Sequence, residues 1–420
     1  MLHLKEGHLR AYVGVDWSAT EAVCAVAGES GAPQRLREPA KPSLESVRAV
    51  VVRARAAIGA EEVWVTIEAG APGWVRLFHE AGAVVHVVDP KQARRFVESQ
   101  GSSGAKDDRR DAASLTDMGR SERHRPPPWR PDSPELQQLD ALSGLHEQLS
   151  RDLGRTKQRL REEIRRQMPL VERALPRDLC TGWAVRFLRE VPTPWHAKQL
   201  DRARLDELMR SAAHATRLRM WQALERTDAP WLDESVASAL GFVVQSDVTQ
   251  MSMLSNQLDQ VDQRLDKVTK SMAARDVAES MGGIALRTSS MLIQFAFRDG
   301  VPTHRDQASI RMGASPVFSG SAKDRRGRPK GKVTMRRAAA SRARRATYLI
   351  GRLAMRNLRW AREMYNDGRR RGQNAATAYR RIARCVLRIQ TAMVRTGKPY
   401  DDDHYVAALK ANGVPWAMAL

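Results

Sequence analysis

The chain has 420 residues, more than one hydrophobic core normally organises, so we expect two or three domains. Seventy lysines and arginines against 48 aspartates and glutamates give a formal net charge of +22, which attracts polyanions and makes nucleic acid the first partner to consider. No stretch reaches the roughly 18 to 20 apolar residues of a membrane-spanning helix, and the N-terminus lacks the apolar segment of a signal peptide. We therefore expect no membrane association and a cytoplasmic protein.

The first 120 residues alternate predicted strands with predicted helices. From Ala11, the stretch AYVGVDWSATEAVCAVAG predicts two strands joined by a short turn, with Asp16 at the end of the first strand. EEVWVTIEAG predicts a strand over 63–67 followed by Glu68, and AVVHVVDP predicts another strand. Two helical stretches follow, and the second contains AKDDRRDAASL. This alternation predicts an α/β domain with a partly parallel sheet over residues 1–123.

A proline-dense segment, HRPPPWRPDSPE at 124–135, cannot continue a helix and predicts a domain boundary. Beyond it, apolar residues recur at intervals of three and four, as on one face of a helix. The clearest run combines two series spaced by seven, Met251, Leu258, Leu265 and Met272 with Leu254, Val261 and Val268. We interpret 136–274 as a helical region with two long helices. These two helices are expected to form an antiparallel coiled-coil arm, to form a dimer contact, or to pack within their own domain.

The last third of the chain carries most of its net charge. Residues 321–371 contain 18 lysines and arginines against three acids. Within this segment, KDRRGRPKGK is too polar and too rich in glycine and proline for regular structure, which predicts a flexible basic loop. At this density, neutralisation of phosphates explains the charge better than a solvated surface does. We predict a nucleic-acid-binding tract that includes Arg325, Arg326, Arg328, Lys330, Lys332, Arg336 and Arg337.

Four carboxylates stand where a metal site would need them. Asp16 and Glu68 are predicted at strand ends, where the loops of an α/β sheet gather ligands. Asp108 and Asp111 are three residues apart, so a helix places both on one face. Converging carboxylates cannot all stay ionised without a partner, and Mg²⁺ or Mn²⁺ is the simplest one. On spacing alone, however, solvated ion pairs with neighbouring arginines explain these acids better than a metal site does.

Three stretches resemble the catalytic blocks of the DEDD transposases of bacterial insertion sequences, the insertion-sequence one-ten family, which includes the Piv-type DNA invertases. They are the strand, turn and strand around Asp16, the strand that leads into Glu68, and KDDRRDA. The resemblance implies a RuvC-like domain of the RNase H type, in which Asp16, Glu68, Asp108 and Asp111 are catalytic and bind the metal. Lys106 matches the first residue of KDDRRDA and is expected to contact nucleic acid. Asp107 occupies the variable position, and a register with Asp107 as a ligand is the alternative.

From Ala278 onward the chain resembles the C-terminal transposase domain of the same family. The matching residues form a turn, a Gly-x-x-Pro segment and a Ser-Gly pair: Gly283, Ile284, Gly313, Pro316, Ser319 and Gly320. Ala285 replaces the second glycine of the turn. The resemblance implies that Ser319 is the catalytic nucleophile, which forms a covalent bond to a DNA phosphate and needs a metal or a base for activation. The interval from Pro316 is one residue shorter than in the family, which leaves Ser321 as the alternative.

The resemblance also implies a non-coding bridge RNA that pairs with both target and donor DNA. We expect a mainly α transposase domain over 275–397, a tail over 398–420, and dimers or tetramers in which Ser319 of one subunit completes the carboxylate site of another. Two other functions fit the residues. One is a structure-selective nuclease of the Holliday-junction resolvase type, which needs no serine. The other is a non-catalytic nucleic-acid-binding protein whose carboxylates are structural.

Overall fold

The computed structural model describes these stretches of the chain: 9–99, 108–121, 125–227, 233–272, 274–298, 300–319, 332–335 and 339–420. It gives no side-chain detail for 108, 109, 318, 319, 332–335 and 419. The chain divides into two compact units, residues 1–131 and 132–420. An α/β N-terminal part followed by a mainly helical remainder is thereby confirmed. None of the described helices is long and apolar enough to cross a membrane.

The first unit is built on a five-stranded mixed sheet. Its strands, in spatial order, are β3 (Gln34–Arg35), β2 (Ala22–Ala27), β1 (Arg10–Trp17), β4 (Glu62–Glu68) and β5 (Val84–Val88). β1 is antiparallel to β2 and parallel to β4, and β4 is parallel to β5. The carboxyl ends of β1, β4 and β5 therefore meet at one edge of the sheet.

Four helices accompany the sheet: α1 (Leu44–Ile58), α2 (Pro72–Glu80), α3 (Pro90–Ser99) and α4 (Asp108–Arg120). Side chains alternate between the two faces of a strand, and on one face β1 and β4 present apolar residues to the core. Val15 and Ile67 lie on that face and are completely buried in the core shared with α1 and α2. Gly14 and Thr66 lie on the opposite face, where α4 packs. The alternation of side chains along each strand thus determines which residues contact α1 and α2 and which contact α4.

The proline-dense segment begins as part of the first unit. The Trp129 amide donates a hydrogen bond to the Val85 carbonyl, 2.6 Å away, which extends the edge of the sheet at β5. The Arg125 guanidinium donates to the Gly119 carbonyl, 2.7 Å away, in the last turn of α4, and lies 4.5 Å from the ring centroid of Trp64. Residues 125–131 therefore fasten the end of α4 to the sheet. The first helix of the second unit begins only at Pro134.

Two long helices of the second unit, α5 (Pro134–Gln167) and α11 (Glu234–Lys270), form an antiparallel pair. Arg159 of α5 makes a two-pronged ion pair with Asp247 of α11, whereas His146 lies 3.4 Å from Asp262, so the two helices run in opposite directions. The predicted seam on α11 from Leu254 to Val268 shares one apolar cluster with Leu139 of α5, whereas Met251 belongs to the neighbouring core. Pairing of the two helices within one chain is what the structure contains. A supercoil and a dimer contact stay predictions.

Five short helices connect this pair: α6 (Pro169–Ala174), α7 (Gly182–Glu190), α8 (Pro194–Gln199), α9 (Arg202–Leu208) and α10 (His214–Glu225). Their apolar residues, such as Phe187 and Met220, are buried in one core with Leu160 of α5 and Val244 of α11. The helical character predicted between the long helices is therefore present. These helices cover one end of the pair and add to its core.

The rest of the second unit is mainly helical. Its short elements are α12 (Ala274–Glu279), α13 (Leu286–Met291), a π-helical turn (Leu292–Ala296), α14 (Gln307–Arg311), β6 (Pro316–Ser319) and β7 (Lys332–Met335). They are followed by α15 (Ser341–Asn357), α16 (Arg359–Arg370), α17 (Ala375–Thr396), α18 (Asp402–Ala411) and a 3₁₀ turn (Pro415–Ala419). β6 and β7 form a two-stranded antiparallel sheet that the sequence analysis did not predict. The buried Trp360 indole donates to the Tyr400 hydroxyl, 2.8 Å away, so the predicted tail begins within this core.

Candidate active site

The contact between α4 and the sheet is unusually close because one partner has no side chain. A methyl group on Gly14 would lie 2.0 Å from the Ala112 carbonyl oxygen, far inside van der Waals contact. The Gly14 amide donates to the Thr116 hydroxyl at 2.9 Å, and that hydroxyl lies 3.1 Å from the Ala25 carbonyl oxygen. Further along α4, a methyl on Gly119 would lie 2.1 Å from the Thr66 hydroxyl oxygen. Main-chain contact therefore fixes the height of α4 above the sheet.

This packing brings together three of the four predicted carboxylates. Asp16 is the penultimate residue of β1, and Glu68 is the last residue of β4. The parallel register pairs Val15 with Ile67. The next residues, Asp16 and Glu68, are therefore neighbours on the sheet face that carries Gly14. Asp111 immediately precedes Ala112 on α4. Asp16, Glu68 and Asp111 all line one cavity of about 910 Å³.

The cavity is acidic although the protein is strongly basic. Among the side chains that the structure describes, six carboxylates and two arginines contribute to its lining: Asp16, Glu21, Glu68, Glu98, Asp111 and Asp117, with Arg94 and Arg110. Asp117 is ion-paired with Arg120 at 2.6 Å, and Glu98 with Arg94 at 3.1 Å. The excess of negative charge attracts a cation and repels phosphate. Sequence reasoning did not single out Glu21 or Asp117, because nothing local distinguishes them from solvated acids.

The loop after β1 that forms one wall of the cavity is held by hydrogen bonds. The Trp74 indole donates to the Ser18 carbonyl at 3.0 Å, and the Ser18 hydroxyl donates to the Glu21 carbonyl at 2.9 Å. Trp74 is itself buried in the core of the first unit. The loop that follows Asp16 is therefore attached to the core by a hydrogen bond.

A divalent cation fits the chemistry of this cavity better than any other group, since carboxylate oxygens are the ligands that Mg²⁺ and Mn²⁺ prefer. The side chains that the structure describes nevertheless include no group of three acids, histidines or cysteines close enough to hold one ion. Asp108 begins α4, one turn before Ala112 and on the same side of the helix, and its side chain lies outside the described atoms. The carboxylates are chemically suitable ligands for a divalent metal. A complete metal site requires either movement of the described side chains or participation of Asp108.

Other predicted residues lie partly or wholly outside the described part of the chain. The main chain of Ser319 ends β6 and pairs with Lys332 of β7. The described residues do not include Lys106, Asp107, Gly320, Ser321, Arg325, Arg326, Arg328, Lys330, Arg336 and Arg337. The roles expected of these residues stay predictions.

The predicted turn at Gly283 has a structural reason of its own. Gly283 has a φ of 88°, and a methyl group there would lie 2.8 Å from the Asn357 amide nitrogen and 3.1 Å from the Leu353 carbonyl oxygen of α15. Ile284, next in the turn, is 5% exposed and belongs to the core. The glycine is therefore required by packing against α15, which agrees with the loss of the second turn glycine at Ala285.

Comparison with known proteins points to the same family that the carboxylate-containing stretches resemble. Residues 13–169 match the model of the IS110-type DEDD family, described as transposase, and this stretch contains all four predicted metal ligands. A candidate transposase, y4uE of Sinorhizobium fredii, is 28% identical over 202 residues, which are 47% of this chain and 56% of that relative. The chain thus spans little more than half of y4uE.

A second relative extends the similarity into the C-terminal half. The 43.6 kDa protein of insertion element IS110 from Streptomyces coelicolor is 26% identical over 321 residues, which are 74% of this chain and 76% of the relative. An alignment of this length exceeds the first unit, so the similarity does not stop at the carboxylate domain. Over these stretches the chain is similar to the IS110 family of DEDD transposases.

Proposed function

We propose that this protein cleaves and rejoins DNA strands during transposition of an insertion sequence, with Ser319 as nucleophile and a metal site formed by Asp16, Glu68, Asp108 and Asp111. The observation that carries the proposal is the convergence of Asp16, Glu68 and Asp111 on one cavity from three separate elements. These residues are far apart in sequence, and solvated ion pairs would not require them to meet.

In this proposal each part of the chain has a chemical task. When bound, Mg²⁺ or Mn²⁺ supplies positive charge that stabilises the extra negative charge on the phosphate undergoing exchange. The carboxylates hold that charge in place, and the contact at Gly14 holds the α4 main chain that carries two of them against β1. Residues that bind the DNA keep the scissile phosphate in line with the nucleophile.

The serine step exchanges one phosphoester for another. Ser319 loses its hydroxyl proton as the new bond from Oγ to phosphorus forms, one phosphorus–oxygen bond to the DNA strand breaks, and the leaving oxygen takes up a proton. The covalent intermediate retains the energy of the broken phosphoester bond. Rejoining is the reverse reaction with a different strand end, so it requires no ATP.

A covalent adduct between protein and DNA tests the serine step. We expect wild-type protein incubated with Mg²⁺ and end-labelled recombination substrate to give a labelled protein band that survives denaturation, and Ser319→Ala to give none. Ser321→Ala is the matched control and should retain the band. Loss of the band with Ser321→Ala but not with Ser319→Ala would move the nucleophile to Ser321. Cleavage that leaves free ends and no adduct would favour the resolvase-type nuclease.

We further propose that a bridge RNA selects the target and donor DNA and that the active form is a homo-oligomer. The net charge of +22 supports a polyanionic partner but does not distinguish RNA from DNA. RNA that copurifies with the protein should be enriched in one transcript with segments complementary to both DNA sites. A copurified pool with no enriched transcript would contradict RNA guidance, while the adduct experiment would be unaffected.

A further inference from the structure

The outer face of α15 carries one aromatic ring among arginines. Arg345, Tyr348, Arg352 and Arg356 follow one another at intervals of three and four residues, which places them on one side of the helix. All four are exposed, and Tyr348 keeps 41% of its surface accessible. Buried residues such as Ile350 and Ala354 occupy the opposite side. The ring therefore stands on the solvent face and not in the core.

Tyr348 is held in place by two further tyrosines. Its ring meets Tyr379 of α17 nearly perpendicularly, with centroids 5.2 Å apart, and Tyr379 stacks on Tyr365 of α16 at 5.1 Å and 20°. Gly351 makes this cluster possible, because a methyl group there would lie 2.0 Å from the Tyr379 carbonyl oxygen. The helices approach closely at Gly351, and the three rings meet one turn away. A supported ring loses little freedom when a ligand stacks on it.

The surroundings of Tyr348 are strongly positive. Residues 341–396, which include α15, α16 and α17, contain fifteen arginines and only two acids, Glu363 and Asp367. Asp367 forms ion pairs with Arg371 and Arg381, and Glu147 of α5 forms ion pairs with Arg342 and Arg345. Among the residues that the structure describes, no acid forms an ion pair with Arg352 or Arg356. These two charges therefore remain available to phosphates.

We infer that this face of α15 binds single-stranded DNA, with an unpaired base stacked on Tyr348 and the neighbouring phosphates on Arg352 and Arg356. An aromatic ring flanked by guanidinium groups suits an unpaired strand, since every base has a π-face and every linkage a charge. Duplex DNA hides its base faces and offers only phosphates to this surface. The inference rests on the proposed function, because strand exchange creates unpaired DNA, and DNA is accordingly the strand we assign.

Fluorescence anisotropy with a labelled single strand, the matching duplex and an RNA strand of the same sequence tests this inference in buffer with EDTA. We expect Tyr348→Ala to weaken binding of single-stranded DNA about tenfold and binding of duplex less than about twofold. Tyr348→Phe should bind like wild type because it keeps the ring. Tyr348→Leu fills similar space without a flat ring, so it should behave like the alanine variant even if alanine also loosens the cluster.

Charge and stacking are separated by the salt dependence. Arg352→Gln should reduce the slope of log K against log salt by about 0.7 on the single strand, whereas Tyr348→Ala should leave the slope unchanged. Arg219→Gln removes an exposed arginine from α10 and serves as the charge-matched control, which we expect to leave single-strand binding unchanged.

Several results would overturn the inference. One is wild-type affinity for single-stranded DNA in folded Tyr348→Ala or in Tyr348→Leu. Another is an equal loss of affinity for single strand and duplex in Tyr348→Ala. A third is a loss of affinity confined to the RNA strand. The assay needs neither metal nor cleavage. A failure of the serine proposal would therefore leave these affinities as predicted, and a failure here would leave the adduct experiment intact.

Discussion

The acidic cavity of the first unit and the helices α15 to α17 of the second have opposite charge within one chain. The described lining of the cavity has six carboxylates and two arginines, whereas residues 341–396 contain fifteen arginines and two acids. A phosphate is attracted to the second region and repelled by the first until a cation neutralises the carboxylates. Binding of DNA and its cleavage should therefore be separable by mutation, and the net charge of +22 describes neither region.

The two regions nevertheless share one structural device. A methyl group on Gly14 would meet the Ala112 carbonyl oxygen at 2.0 Å, and one on Gly351 would meet the Tyr379 carbonyl oxygen at the same distance. In the first unit the close contact sets the position of the helix that carries Asp111 against a strand. In the second it sets the position of an aromatic cluster between helices.

The largest effect is expected from the carboxylates. Asp16→Ala, Glu68→Ala, Asp108→Ala and Asp111→Ala should each lower strand cleavage on the order of a thousandfold, since each removes a proposed metal ligand, and omission of Mg²⁺ should do the same to wild type. DNA affinity in EDTA should not fall, because a negative charge has been removed. Gel assays of cleavage and anisotropy measure the two quantities.

Asp117→Ala is the matched control for these variants. Asp117 lines the same cavity but is ion-paired with Arg120, so we expect it to retain most activity. Near-normal cleavage by any one of the four carboxylate variants would remove that residue from the metal site.

Substitution of the two glycines should impair different functions. Gly14→Ala and Gly351→Ala should each destabilise the protein by about 1 to 3 kcal/mol, because the added methyl overlaps main-chain atoms. We expect Gly14→Ala to lose cleavage and keep DNA binding, and Gly351→Ala to lose single-strand affinity. Thermal unfolding together with both assays measures this.

Gly154→Ala in α5 provides the reference for the glycine variants. The added methyl would meet no atom within 4 Å outside the neighbouring backbone of its own helix, so the change should stabilise the helix slightly, by up to about 1 kcal/mol. Equal loss of both functions in Gly14→Ala and Gly351→Ala would mean that the two regions are not independent.

A smaller effect is expected from the basic tract. If Arg325, Arg326, Arg328 and Lys330 contact phosphates, each glutamine substitution should reduce the slope of log K against log salt on duplex DNA by about 0.9. Cleavage at saturating DNA should change little. An unchanged slope would assign these charges to solvent and leave α15 to α17 as the principal basic region.

The sequence allowed the first unit to be predicted well because its signals are local. Alternating β-branched residues around Asp16 and before Glu68 specify strands, and the spacing of Asp108 and Asp111 specifies a shared helix face. The convergence of Asp16, Glu68 and Asp111 followed from the parallel order of β1 and β4, which periodicity alone does not determine.

Other features depend on contacts that no local pattern contains. The Gly14 contact with Ala112 joins positions 98 residues apart, so the glycine reads in sequence as an ordinary strand residue. Tyr348 reads as one tyrosine in a basic helix until α16 and α17 bring Tyr365 and Tyr379 beside it. The pairing of β6 with β7 was missed for a related reason, because both strands are short and flank a polar, basic segment.

The small residues along the inner side of α4 have a consequence for how this protein can vary. Core volume in most domains changes by a methyl group here and there, and packed helices shift to accommodate the change. Here the helix bearing Asp111 rests on Gly14 and Thr66 through Ala112, Thr116 and Gly119, where almost no side-chain volume intervenes. Substitutions elsewhere in the core can accumulate without altering the spacing between β1 and this helix. The geometry of the carboxylates is thereby insulated from ordinary drift in the rest of the sequence.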